Sequence, residues 1–140
     1  MKRVSLYFSL LISLFLFQCD GYQHPTIPEV DVNFTIYPNS VSYLDLNYIG
    51  GYMYFTGGVA GIVVYRLDNS TFCAYDRACP YDWENNEAWI SVEESGLTLM
   101  DEHCGSQFNI IDGGVISGPA RFPLKTYRTR YDGMILRVYN

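Results

Sequence analysis

The sequence predicts an all-β domain, a small antiparallel sandwich or barrel. The 140-residue chain is rich in residues that favour strands, with 13 Tyr and 8 Phe among them. Clusters of Gly, Asn and Asp recur at a spacing of about 8–12 residues, which is typical of short strands joined by tight turns. No segment keeps a sustained helical period of apolar residues. The length is that of one domain.

A short apolar segment near the N-terminus predicts export. Lys2 and Arg3 precede a 12-residue apolar stretch at residues 6–17. This stretch is too short to span a bilayer comfortably, but it has the length of the apolar region of a signal peptide. Leu16 stands three residues before Cys19 in the sequence LFQC, which resembles a bacterial lipobox. We therefore expect cleavage before Cys19 and lipidation of its thiol.

These features divide the chain into a lipoprotein signal peptide at 1–18, a flexible tether at 19–30 and a β domain at 31–140. A lipid on Cys19 would anchor the domain at the bacterial cell envelope, on the outer membrane or a periplasmic membrane face, without spanning it. Loss of the two basic residues of the signal peptide lowers the net charge from −6 to −8. This acidic balance, without a cluster of Lys or Arg, argues against nucleic acid as a partner.

The predicted strands of the first half of the domain are separated by turn residues. Apolar residues occupy every second position of 32–37, which is the alternation of a half-buried strand. A weaker alternation covers 42–48, and glycines bound a third strand at 51–58. The segment 61–76 predicts a hairpin, because two β-rich runs flank the turn-forming sequence Asp-Asn-Ser at 68–70.

Four segments continue this pattern in the second half. Short strands are predicted at 88–92 and 97–100, on either side of a polar turn. The segment 106–117 predicts a hairpin around its Asp-Gly-Gly sequence, and 124–140 predicts another around its Asp-Gly. The predicted strands therefore form a run of short antiparallel hairpins.

Two stretches break the strand pattern, and both contain cysteine. They are residues 76–89 and residues 101–108, and each connects predicted strands. Loops held by a rigid scaffold often carry functional groups. Apart from the cysteine expected to carry lipid, the chain has Cys73, Cys79 and Cys104. Thiols tend to pair outside the cytoplasm, so this odd number predicts at most one disulfide within the chain.

The two loops and the strands around them resemble a Rieske domain over roughly residues 35–140. The sequence VVYRLDNSTFCAYDRACPY resembles the hairpin that leads into the family's first ligand loop, and CGSQFNIIDGGVISGPARFPLKTYRT resembles the second loop and the segments after it. The resemblance implies a small antiparallel fold with two ligand-type loops at one tip. In the family, a Cys-x-His loop and a Cys-x2-His loop hold a [2Fe–2S] cluster there.

Carried over by position, the resemblance gives an altered ligand set. Cys79 matches the first Cys, and Tyr81 stands in place of the first His. Asp101 replaces the second Cys, and Cys104 replaces the second His. Carboxylate and phenolate are hard ligands that suit an iron–sulfide cluster poorly. We therefore expect no standard cluster. If a cluster does bind, these four residues would hold it, and its potential would be low because anionic ligands replace neutral imidazoles.

The resemblance also implies that the two loops face each other, which would bring Cys79 and Cys104 within reach of a disulfide. Such a bond would tie the loops together in place of iron. It would contribute on the order of 3.5 kcal/mol in the chain-entropy account of disulfides. Cys73 would then be a strand thiol. A Cys73–Cys79 bond is the alternative pairing.

A zinc site is a further alternative for the same loops. It would consist of three cysteines and one histidine, namely Cys73, Cys79, His103 and Cys104. We give it less weight, because adjacent His and Cys side chains rarely reach one metal ion with good geometry.

The remaining polar and aromatic residues of the loops have simpler interpretations. We expect the acids of the loops, Asp82 and Glu84 among them, to be solvated, and His24 to be a solvent-exposed tether residue. Trp83 is the tryptophan that we expect to be exposed, because it lies within the first loop.

The sequence thus predicts an exported, lipid-anchored domain with a Rieske-like fold and without a standard cluster. Its loops would be joined by a Cys79–Cys104 disulfide, and its role would be structural or in binding. The alternative is an electron-transfer protein that holds a [2Fe–2S] cluster with non-standard ligands. We expect no independent catalysis. The expected partners are a membrane, through Cys19, and an unidentified protein or redox partner.

Overall fold

The computed structural model describes residues 24–140. The predicted signal peptide at 1–18 and the predicted lipidation site at Cys19 lie outside the described residues. Within 24–140, no helix has the length and apolar character needed to cross a membrane.

Ten antiparallel strands and one 3₁₀ helix form the regular structure of this range. The strands are β1 (Asn33–Ile36), β2 (Tyr52–Phe55), β3 (Ile62–Arg66), β4 (Phe72–Asp76), β5 (Ile90–Val92), β6 (Thr98–Asp101), β7 (Gln107–Asn109), β8 (Val115–Ser117), β9 (Thr126–Tyr131) and β10 (Leu136–Tyr139). One sheet has six strands in the order β1, β10, β9, β4, β3, β2. The other has four strands in the order β5, β6, β7, β8.

The larger sheet is covered on both faces at its centre. Every residue of β3 is buried. Val63 and Tyr65 belong to a core shared with the smaller sheet, whereas Ile62 and Val64 belong to a second core on the opposite face. Successive side chains of a strand point to opposite faces, so the continuous apolar run of β3 supplies both cores.

The turns predicted from the sequence connect strands as expected. Asp68 Oδ1 accepts hydrogen bonds from the backbone N–H groups of Ser70 and Thr71, both at 2.7 Å, and closes the β3–β4 hairpin. Hydrogen bonding to this turn lowers the pKa of Asp68 to about 2. Gly113, between β7 and β8, packs against Tyr75, whose ring would lie 2.8 Å from a Cβ at this position. The hairpin predictions at these two turns are confirmed.

The weak strand predicted at 42–48 is wrong, because the chain forms a 3₁₀ helix over Val41–Leu46. This segment joins β1 and β2, which are the two edge strands of the larger sheet. Leu46 is its one fully buried side chain, whereas Val41 and Leu44 are exposed. A single buried residue anchors a turn, but a half-buried strand needs an alternating apolar face.

Residues 24–30, which the sequence places in the tether, lie against the domain. His24 is only 8% exposed. Its Nδ1 accepts the backbone N–H of Ile27 at 3.1 Å, and its Nε2 lies 2.8 Å from the carbonyl oxygen of Pro123. The buried Lys125 pairs with Glu29 at 3.2 Å. The expectation of a solvent-exposed His24 is wrong, because one ring nitrogen accepts a backbone N–H and the other lies against a backbone carbonyl of a distant segment.

One cysteine-bearing loop connects the larger sheet to the smaller sheet, and the other connects two strands of the smaller sheet. The first loop, residues 77–89, joins β4 to β5, and the second loop, residues 102–106, joins β6 to β7. A β-bridge between Ala78 and Trp89 closes the first loop at its base. The two loops meet at one end of the molecule. The prediction of an all-β antiparallel fold in which the two cysteine-bearing loops lie side by side is confirmed.

Candidate functional site

A buried carboxylate fixes the start of the first loop. Asp76 ends β4 and has no exposed surface. Its two oxygens accept four hydrogen bonds of 2.7–3.1 Å, from the backbone N–H groups of Val59, Ala60 and Ala78 and from the hydroxyl of Tyr127. Burial, together with the hydrogen bond to Asp76, raises the pKa of Tyr127. Ala78 directly precedes Cys79, so this network determines where the cysteine enters the site.

The second loop is a tight turn closed by its own backbone. Asp101 donates its N–H to the carbonyl of Ser106 at 3.0 Å, and its own carbonyl accepts the N–H of Gly105 at 2.8 Å. Gly105 has a φ of +76°, a conformation that side chains disfavour. The turn therefore presents Asp101 and Cys104 on the same side, three residues apart.

A third loop, residues 118–121 after β8, covers the second cysteine. Ser106 is fully buried, and its Oγ lies 3.0 Å from Cys104 Sγ while it accepts the backbone N–H of Ala120 at 3.1 Å. Gly118 has a φ of +99°, and a Cβ there would lie 2.5 Å from Ser106 Cα. The Gly-Ser sequence at 105–106 and the Gly-Pro-Ala sequence at 118–120 therefore have a physical role, because they let the third loop approach the cysteine.

Four potential ligand atoms converge between the loops. Cys79, Asp82, Asp101 and Cys104 each supply one atom, and these atoms all lie within 4.8 Å of one another. The two sulfurs are 3.6 Å apart, so the cysteines lie next to each other as expected but are not joined in a disulfide. Cys104 Sγ is 3.4 Å from Asp101 Oδ2. Cys79 and Asp101 have no exposed surface. We call these four residues the Cys2Asp2 group.

The charges of the Cys2Asp2 group are incompletely compensated among residues 24–140. Asp101 Oδ1 accepts the backbone N–H of His103 at 2.8 Å. Asp82 Oδ1 is buried without a hydrogen-bond partner, and Asp82 Oδ2 lies 3.9 Å from His103 Nε2. Burial raises the pKa of Asp82, and the neighbouring Asp101 raises it further. Burial also raises the pKa of the Cys79 thiol.

The structure brings together three of the four residues predicted as ligands. Cys79, Asp101 and Cys104 belong to the Cys2Asp2 group, whereas Tyr81 is 57% exposed. The neighbouring Asp82 occupies the site instead, and the expectation that this carboxylate is solvated is wrong. A signal for it exists in the spacing, since Cys-x2-Asp in the first loop mirrors Asp-x2-Cys in the second.

The alternative zinc set of three cysteines and one histidine is not assembled. Cys73 lies on β4 rather than in a loop, and its Sγ donates a hydrogen bond to the carbonyl of Ile111 at 3.3 Å. His103 Nε2 lies 2.8 Å from the side-chain amide of Asn85. Neither residue belongs to the group of converging ligand atoms.

A Rieske cluster does not fit these donors. In such a cluster one iron takes two thiolates and the other takes two imidazoles. By the resemblance, Cys79 and Cys104 stand at positions that serve opposite irons. Their sulfurs are in contact at 3.6 Å, so no room for the iron pair lies between them. Tyr81, at the remaining imidazole position, is turned to solvent.

A shallow cleft lies beside the first loop. It has a volume of about 300 Å³, and its lining includes Trp83, Trp89, Glu84 and Val59. Trp89 is 53% exposed, and Trp83 is half-buried. The expectation that Trp83 is the exposed tryptophan is therefore wrong. The base of the loop, rather than its middle, presents the larger aromatic surface to solvent.

Comparison with solved structures finds a ferredoxin of carbazole 1,9a-dioxygenase from Nocardioides aromaticivorans IC177, at 18% sequence identity and a TM-score of 0.46. The match covers 65% of this chain and 86% of that chain. No family model matches the chain, and no curated protein matches it in sequence.

Proposed function

We propose that this chain is an exported, lipid-anchored Rieske-type domain that works without a [2Fe–2S] cluster and has a structural or binding role. Its two loops are joined through Cys79 and Cys104. The observation that carries this proposal is the contact between the two sulfurs at 3.6 Å, across loops that are 25 residues apart.

The thiol pair is positioned to respond to the redox state of its compartment. Disulfide formation would bring the sulfurs to about 2.0 Å and would remove two protons and two electrons, which an external disulfide or a thiol oxidase accepts. Cys104 is partly exposed, whereas Cys79 is buried. An oxidant would therefore reach Cys104 first, and Cys79 would resolve the mixed disulfide. The bond would hold the loops as a cluster does in the family.

The exposed aromatic surface beside the loops supports a binding role. Trp89 and Tyr81 are both more than half exposed, and both lie in or next to the first loop. Tyrosine and tryptophan are enriched in protein interfaces because they combine apolar area with a polar edge. We propose that a protein of the cell envelope contacts this surface, next to the anchoring membrane.

The first experiment separates this proposal from an electron-transfer role. The full chain is purified in detergent without oxygen, after expression with iron and sulfur supplied, and its visible spectrum, iron and acid-labile sulfide are measured. We expect no iron–sulfide absorption. Bands that bleach on reduction, with two irons and two sulfides per chain, would contradict the proposal and establish an electron carrier.

A second measurement tests the thiol pair directly. The chain is exported in a bacterial host, its thiols are trapped by acid and alkylation, and its peptides are analysed by mass spectrometry. We expect a linked Cys79–Cys104 peptide and an alkylated Cys73. The Cys73→Ser variant is the matched control and should retain the link. Two alkylated cysteines at 79 and 104 in the exported protein would show that the loops are joined in another way.

A further inference from the structure

We propose that the reduced Cys2Asp2 group is a mononuclear metal site, which binds one tetrahedral divalent ion of the zinc class through Cys79, Asp82, Asp101 and Cys104. This inference rests on the proposed function only in requiring that no two-iron cluster fills the loops. It assigns to the site a ligand, Asp82, that the Rieske pattern does not contain.

Two of the separations match those between ligands of a single tetrahedral ion, and all four ligand atoms lie within 4.8 Å of one another. With zinc–sulfur bonds of about 2.3 Å, two thiolates on one tetrahedral zinc are about 3.8 Å apart. A zinc–oxygen bond of about 2.0 Å places a carboxylate oxygen about 3.5 Å from a thiolate on the same ion. The observed separations are 3.6 Å between the sulfurs and 3.4 Å between Cys104 Sγ and Asp101 Oδ2.

The electrostatics of the site favour a cation. Two carboxylates lie close together between the loops, and the basic side chain near them within residues 24–140 is His103, whose Nε2 is 3.9 Å from Asp82 Oδ2. Asp82 Oδ1 is buried with no hydrogen-bond partner. Buried carboxylates are normally paired or coordinate metals, since an isolated buried charge is very unfavourable. A divalent ion would offset both carboxylates and supply the partner that Asp82 Oδ1 lacks.

The contacts around the group hold its side chains in place. Asp101 Oδ1 accepts the N–H of His103, and Ser106 Oγ lies beside Cys104 Sγ. Such outer contacts orient metal ligands and are part of most metal sites. Cys79 and Asp101 have no exposed surface, whereas Asp82 and Cys104 are partly exposed, so an ion could enter from their side. Four protein ligands, which leave no position for water, are typical of a structural zinc site rather than a catalytic one.

The donor types select the class of ion. Two thiolates favour zinc, and its spectroscopic substitute cobalt, over magnesium and calcium, which bind through oxygen. Two carboxylates disfavour copper(I), which prefers sulfur ligands alone. The ion would tie the two loops together in the reduced state, and the Cys79–Cys104 disulfide would tie them in the oxidised state.

The test is a titration of the reduced full chain, in detergent and without oxygen, with Co²⁺ followed by Zn²⁺. We expect one equivalent of Co²⁺ to give visible bands of a tetrahedral site together with near-ultraviolet thiolate-to-cobalt bands. One equivalent of Zn²⁺ should abolish both sets. Loss of an outer contact alone lowers metal affinity about 10–100-fold, so Asp82→Asn and Cys104→Ser should each lower it by more than about 100-fold.

Two matched controls distinguish ligands from neighbouring residues. Glu84→Gln removes an exposed acid from the same loop as Asp82, and Cys73→Ser removes a thiol outside the group. Both should bind Co²⁺ as the parent chain does. Far-ultraviolet circular dichroism of each variant establishes that it folds. If Cys104→Ser does not fold, Asp82→Asn still decides the question, because its side chain keeps the same size.

Two results would overturn the proposal. One is a folded, reduced chain that binds neither ion, and the other is an Asp82→Asn variant that binds Co²⁺ as tightly as the parent. The first result, without iron or sulfide, would leave the cluster-free function standing. A two-iron, two-sulfide centre would overturn both proposals.

Discussion

Replacement of Asp82 by Asn should stabilise the metal-free protein, although it weakens metal binding. Asp82 Oδ1 is buried without a partner, and burial and the nearby Asp101 raise the pKa of the Asp82 carboxyl. The amide of the variant is neutral, so the substitution removes a partly buried charge and its repulsion by Asp101. A buried polar group without a partner costs about 1–3 kcal/mol, and more when it is charged, and the 20% exposure of the Asp82 side chain places the gain at the lower end of this range. We expect the free energy of unfolding of the metal-free, reduced chain to rise by about 1 kcal/mol near pH 7.

The effect should depend on pH in a defined direction. The folded-state pKa of Asp82 is raised, so the folded protein holds this proton to higher pH than the unfolded chain does. The associated stability is fully present below the unfolded-state pKa and is lost as the pH rises through the folded-state value. The stabilisation of Asp82→Asn over the parent should therefore shrink as the pH falls from about 7 towards about 4.

Added zinc should reverse the order of stability. A ligand that binds only the folded state stabilises it by about 2.7 kcal/mol when its free concentration is 100 times its dissociation constant. The parent chain should gain this increment, and Asp82→Asn should gain little of it. The assay is urea unfolding followed by tryptophan fluorescence, with a thiol reductant and either a chelator or excess Zn²⁺.

One outcome would refute this reasoning outright. If Asp82→Asn lowers the free energy of unfolding of the chelator-treated protein near neutral pH, the carboxylate is stabilised by partners in the apoprotein. Asp82 Oδ1 would then have a hydrogen-bond partner in the apoprotein. Glu84→Gln, as the exposed control from the same loop, should change neither the stability nor its dependence on zinc.

Three further predictions concern the frame around the site. Gly118→Ala should lower the free energy of unfolding by about 1–3 kcal/mol, since φ is +99° and a Cβ would meet Ser106; an unchanged urea midpoint would contradict this. Asp76→Asn should lower the free energy of unfolding by about 2–3 kcal/mol, because it removes charge-assisted hydrogen bonds. Asp45→Asn, at an exposed position, should leave the free energy of unfolding almost unchanged, and equal effects of the two substitutions would refute the argument. Cys19→Ala should abolish the incorporation of labelled palmitate into the exported protein, and labelling that persists in the variant would exclude this anchor.

The hairpins could be predicted because their turns are encoded locally. Asp68 makes its hydrogen bonds to residues two and three positions later, so the turn needs nothing from the rest of the fold. Gly113 is similar, since its positive φ follows from the glycine itself. These contacts depend on neighbouring residues, which the sequence displays side by side.

The surroundings of the site could be predicted only in part. The resemblance indicates that Cys79 and Cys104 meet, and they do. The burial of Asp82 depends on the approach of the second loop, and the mirrored Cys-x2-Asp and Asp-x2-Cys spacings are the one trace of that approach in the sequence. His24 is a similar case, since its partner Pro123 is 99 residues away. In both cases a polar residue in an irregular segment looks solvated until its distant partner is known.

The docking of His24 has a consequence for how freely the domain could move if Cys19 carries a lipid. A lipid at Cys19 would leave a leash of five residues before His24, which reaches about 18 Å at most, whereas the twelve residues of the expected tether reach about 40 Å. The segment between the lipid and the domain is thus shortened to less than half of its expected length. This segment would join the domain beside Pro123, whose neighbour Phe122 is 41% exposed. Phe122 and Pro123 come directly after the loop that covers Cys104, so the end of the domain that carries the paired loops would stay close to the lipid surface. A protein that reaches those loops would then need to approach along the membrane.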